Sequence, residues 1–102
     1  TNLFFFLLTT RYTIYTGLAN SAALDFGSTA AGTSTDLTIT VTGAADGDPV
    51  ELGTPNAATL SNGVFTAWVS SANTVTVRFT NTNLVAALDP ASATFKVFVK
   101  KN

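Results

Sequence analysis

Cysteine, histidine and methionine are all missing from this sequence. Without cysteine there is no disulfide, no thiolate nucleophile and no thiolate metal ligand. Without histidine there is no Ser-His-Asp or Cys-His pair, no imidazole ligand, and no side chain that ordinarily titrates between about pH 5 and 8. The lack of methionine means that an initiator has been removed or that the chain is a piece of a longer one. Charge is scarce too: 11% of residues carry one, against an ordinary share of about 25%. Five cations and six anions leave a net charge of -1. Arg11, Arg78, Lys96, Lys100 and Lys101 form no basic stripe, so nucleic-acid binding of the electrostatic kind is not expected. The place of charge is taken by Thr, Ser, Asn, Ala and Gly, which gives a neutral surface that associates readily.

What is present begins with TNLFFFLLTTRYTIY, in which Leu3, Phe4, Phe5, Phe6, Leu7 and Leu8 follow one another without interruption. Six apolar residues are far short of the roughly 20 that a spanning helix needs, and no basic start precedes them as in a signal peptide. No membrane role is expected. The run reads either as a central strand buried on both sides or as an arm packed against neighbouring copies or another protein. As a free edge strand it would be an aggregation hazard.

Further along, apolar and polar residues alternate with a period of two. TDLTITVTG puts Leu37, Ile39 and Val41 on one face, NTVTVRFT puts Val75, Val77 and Phe79, and TFKVFVK puts Phe95, Val97 and Val99. These are half-buried antiparallel strands rich in β-branched residues. VFTAWVS is another, with Phe65, Ala67 and Val69 inward and Val64 and Trp68 on the opposite face. RYTIYT, LDFG and PVELG are shorter candidates. Turn residues cluster at GAADGDP, TPN, SNG and LDPAS, and SSAN is short enough to join a hairpin. LVAAL, residues 84–88, allows a single helical turn.

Strand signals about ten residues apart, with no helical period, predict an all-β chain: an antiparallel β-sandwich, jelly-roll or Greek-key like, with an apolar N-terminal arm or strand. A chain of this length buries roughly 65% of its unfolded surface, enough for one core. Residues 1–20 are expected to be the arm for assembly and 21–102 the sandwich, with the Ala-, Ser-, Thr- and Gly-rich residues 20–35 as a flexible join.

LDFGSTAAGTSTDLTITVTGAADGDPVELG, then VFTAWVSSANTVTVRFTN, then LDPASATFKVFVK together resemble a small β-sandwich domain of tailed-bacteriophage virion proteins, as in head fibres, capsid decoration proteins and tail fibres. The resemblance covers residues 24–100. It implies a structural virion protein on the capsid surface, made in the host bacterial cytoplasm, with the segment before Leu24 attaching the module to the particle. On this reading the chain is a homotrimer that binds the major capsid protein or another virion protein, and is not an enzyme. No cofactor, metal or small-molecule ligand is expected.

The inward positions named above, with Val50 and Leu52, already furnish two facing sheets. That leaves residues 3–8, Tyr12, Ile14 and Tyr15 as the assembly candidates. Trp68 and Phe98 are left on outer faces, either as a rim of the same core or as a second interface. The alternative function is a receptor- or glycan-binding module of a tail fibre or secreted surface protein, with Trp68 beside Thr66 and Ser70 as the sugar platform. Asp46, Asp48 and Glu51 sit close in sequence, but they depart from calcium-loop spacing and read better as a solvated turn. Asp25 and Asp89 resemble turn-capping acids more than a catalytic pair.

Overall fold

A computed structural model describes residues 16–101. Six strands make two antiparallel three-stranded sheets: β1 (Thr16–Leu24), β2 (Ser34–Thr40), β3 (Val50–Gly53), β4 (Gly63–Ser71), β5 (Thr74–Asn81) and β6 (Ala93–Lys101). One sheet has the order β1-β6-β3 and the other β2-β5-β4. Only β4 and β5 form a hairpin within a sheet. Every other connection passes from one sheet to the other, so β1 ends up beside β6 and β2 beside β5. Such pairing of early strands with late ones is jelly-roll-like winding. The chain is a small all-β sandwich.

Period-two alternation decides which face each strand buries. Val75, Val77 and Phe79 of β5 are fully buried, as are Phe95 and Val99 of β6, with Ile39, Val41, Val69 and Val97 nearly so. Leu37, Val50, Leu52, Phe65 and Ala67 pack against them, half-buried. The inward set expected from the sequence is therefore the core. At its centre, Phe65 and Phe79 of one sheet meet Phe95 of the other, with ring centroids 5.0 Å apart for both Phe65–Phe79 and Phe65–Phe95. Phe26 closes the cluster, edge-on to Phe65 at 5.5 Å and to Phe95 at 5.7 Å. Such geometry suits the ring quadrupoles.

Phe26 was expected in a short strand, LDFG. Instead Leu24 ends β1 and the chain turns, with the Asp25 carboxylate accepting the Gly27 N–H at 3.1 Å. The turn drops Phe26 inward. Nor are residues 20–35 a flexible join: residues 20–24 complete β1 against β6, and Thr29, 1% exposed, pairs with Leu88 through two backbone hydrogen bonds of 2.7 and 3.0 Å. The expected boundary between residues 20 and 21 consequently falls inside β1. Of RYTIYT only Thr16 is described, as the first residue of β1.

A buried asparagine holds this end of the sandwich. The Asn81 side chain donates to the carbonyls of Thr29 and Ala86, both at 3.0 Å, and its Oδ1 accepts the Asn83 N–H at 2.8 Å. Asn83 in turn accepts from the N–H groups of Val85 and Ala86. Residues 84–88 are thus shaped by side-chain caps and not by a helical turn. The one short helical turn among the described residues is the 3-10 segment Asn56–Ala58. No buried side-chain polar atom among the described residues lacks a partner.

Two substitutions probe this packing, each read as a shift of the urea unfolding midpoint. A methyl group at Gly63 would collide with Phe79 Cε1, and that ring is locked inside the core. Gly63→Ala is expected to cost about 1–3 kcal/mol through overpacking. Asn81→Ala removes three side-chain hydrogen bonds, leaving the Ala86 carbonyl and the Asn83 N–H without their partner while Thr29 keeps Leu88, and is expected to cost about 1–3 kcal/mol.

Candidate functional site

The assembly candidates in residues 3–8, together with Tyr12, Ile14 and Tyr15, lie outside the described residues. Their point of attachment is described. Thr16 opens β1, an edge strand, opposite Lys101 near the chain's other end. All the buried apolar side chains among the described residues lie between Leu24 and Val99.

Trp68 and Phe98 do not share a site, because they stand on the outer faces of opposite sheets. Trp68 is 38% exposed on β4. The Arg78 guanidinium, on β5, stacks over its indole at 4.8 Å and forms a bidentate pair with Asp36 of β2, at 2.8 and 2.9 Å. The Asp36–Arg78 pair is directly cross-strand, so register alone brings the charges together. The neighbouring Ser70 hydroxyl accepts from Thr76 at 2.6 Å. The proposed sugar platform therefore has a cation over the ring and one of its hydroxyls already engaged.

Phe98 projects from β6 on the other outer face, and its ring lies across Gly17 of β1. A Cβ at Gly17 would collide with the ring. Only glycine permits that approach, and the ring shields the edge-strand backbone. Beside it, the cross-strand rows Ala19–Phe98–Glu51 and Ser21–Lys96–Gly53 enclose an open trough of about 560 Å³. Ala19 and Ser21 of β1 and Gly53 of β3 are its small lining residues, with Lys96, Val97 and Phe98 of the central β6 between them. A second concavity of about 400 Å³ opens along the flank of the sandwich between β1 and β2, lined by residues 17–20 and 40–42. Asn20 crosses it, donating to the Thr40 carbonyl at 2.6 Å.

The acids do not gather. Asp48 accepts from Lys101 Nζ at 2.6 Å and from the Ala45 N–H at 3.0 Å, while Glu51 lies 3.7 Å from Lys100. Asp25 caps its own turn. Among the described residues no three His, Cys, Asp or Glu side chains assemble as metal ligands, and no helix is long and apolar enough to cross a membrane.

Sequence reasoning overlooked two surface features. Leu84 and Val85 stand 83% and 92% exposed at the tip of the asparagine-capped loop, at the end of the sandwich opposite Thr16. The trough was hidden in plain view: Gly17, Ala19, Ser21 and Ala23 recur at period two, a strand pattern obscured by reading residues 20–35 as a join.

No family model, curated protein or solved structure matches this chain.

Ion pairing sets an expectation for acid. The hydrogen bond from Arg78 holds the Asp36 carboxyl below its ordinary pKa, and those from Lys101 and the Ala45 N–H do the same for Asp48. Carboxyl groups depressed by folding stabilise the folded state above their unfolded value, near pH 4, and lose that contribution as pH falls through the folded value. Urea midpoints should hold steady from about pH 8 to 5 and fall below about pH 4. Asp36→Asn should reduce the size of that acid-side fall.

Proposed function

We propose that this protein is a structural assembly module, a virion component of the capsid-decoration or head-fibre kind, working as an oligomer such as a homotrimer bound to a capsid protein. One observation carries the reading. Among the described residues the core is made of side chains from Leu24 to Val99 and every buried side-chain polar atom has a partner, yet six consecutive large apolar residues stand earlier in the sequence, before β1. A run of that composition needs cover, and burial of each such side chain is worth about 1.5–3 kcal/mol. Neighbouring copies or a capsid surface would supply that cover. The uncharged Thr- and Ser-rich surface suits close association, since little charge has to be desolvated. The resemblance of residues 24–100 to phage virion sandwiches supplies the particle.

The mechanism is passive. A module that binds only the assembled particle shifts the equilibrium toward it. The glycan-binding alternative draws less support from the geometry, because Trp68 is stacked under Arg78 and Ser70 is already bonded.

Deleting residues 1–10 removes none of the described strands or core residues. The truncated chain should keep its fold by circular dichroism and sediment as a monomer where the full chain sediments as an oligomer. An unchanged oligomer would remove the basis of the assembly reading.

A further inference from the structure

We propose that the open edge of β1 receives residues 3–8 of a second copy of this chain as an added strand. This inference rests on the assembly reading and names the surface that the arm occupies.

The four sheet edges are not equally guarded. β3 is only four residues long and carries Glu51. β2 has Asp36 clamped to Arg78 across its middle, and β4 is irregular between Val69 and Ser71. β1 runs for nine residues, TGLANSAAL, with no charge and no proline. Long, uncharged, regular edges of this sort invite another strand unless something covers them.

Both sides of that edge are also hollow. The trough crosses the outer face of the sheet from β3 over β6 and ends at β1, the flank cleft lies on the inner side of β1, and the two share Ala19 and Asn20. An added strand sends alternate side chains to opposite faces of the sheet. One set would settle beside Ala19 and Ser21, the other against residues 40–42. A strand with both faces covered requires apolar residues at both parities, and an unbroken run rather than an alternating one meets that requirement. Leu3, Phe4, Phe5, Phe6, Leu7 and Leu8 are such a run. Backbone hydrogen bonds would supply affinity, and the two hollows side-chain specificity.

The occupant is a second copy because residues 9–15, TTRYTIY, contain no glycine, proline, asparagine or aspartate to reverse the chain onto its own β1. Fully extended, those seven residues reach at most about 25 Å beyond Thr16, far enough to place the arm on an adjoining sandwich.

Cysteine cross-linking tests this directly, since the chain has no cysteine of its own. Ala19→Cys protein is mixed with Phe4→Cys, Phe5→Cys or Phe6→Cys protein and oxidised. At least one mixture should yield a reducible disulfide between the two chains, because facing residues on adjacent strands come within bridging distance. Ala19→Lys, at an exposed position, should keep the fold and weaken self-association by on the order of tenfold or more, the sensitivity of an edge to an added charge. If removal of residues 1–10 dissolves the oligomer while no mixture cross-links and Ala19→Lys associates normally, the assembly reading stands and this inference is overturned. If a doubly substituted chain, Ala19→Cys with Phe4→Cys, Phe5→Cys or Phe6→Cys, closes its disulfide internally while no mixture of singly substituted chains cross-links, the inference is overturned as well, the arm lying on its own sandwich. If removal of residues 1–10 changes nothing, both readings fall together.

Discussion

The contact between Phe65 and Phe79 on one sheet and Phe95 on the other holds the two halves of this protein face to face. With no cysteine to form a disulfide and, among the described residues, no helix over either sheet, three strands a side are locked by what lies between them. A two-stranded ribbon is marginal in water, and three strands become stable only when one face is covered. Here each sheet covers the other, and Phe26 seals the cluster from the loop after β1. The tight fit also explains why Gly63 has no side chain, since the Phe79 ring fills the space where a Cβ would go.

That lock sets up the rest of the molecule. Turning Phe26 inward ends β1 at Leu24 and carries Thr29 across to Leu88, where Asn81 satisfies the backbone groups trapped by the crossing. The same asparagine network stiffens the loop that displays Leu84 and Val85. At the far end β1 is left at the margin of its sheet, hollow on both sides and facing outward. A core built, among the described residues, from Leu24 to Val99, an uncharged β1, and an apolar run earlier in the sequence are the physical basis for reading the chain as a building unit. Asp36 and Asp48 are held in separate ion pairs, and Asp25 caps its own turn.

Alternation made most of the strands legible. Thr and Val in strict succession in TDLTITVTG and NTVTVRFT admit one amphipathic surface only, and Leu37, Ile39, Val75 and Val77 lie where that surface requires. LDFG misled because a two-residue apolar alternation looks the same whether the chain continues straight or turns, and the Asp25 cap that turns it is a local hydrogen bond. Residues 20–35 misled because alanine, serine and glycine signal flexibility by composition, whereas in β1 such small residues line one end of a trough.

By itself, the sequence determined the fold class, the inward faces of β2, β4, β5 and β6, and the excess of apolar residues in its first eight positions. Side-chain parity and turn chemistry are local properties, so a single chain carries them in plain order. Only the tertiary structure decided that Trp68 and Phe98 stand on opposite faces, that Arg78 lies over the indole, and that β1 rather than β6 forms the sheet's edge. Those facts depend on which strand crosses to which sheet, a long-range pairing that burial of the phenylalanine cluster selects and that no local pattern encodes.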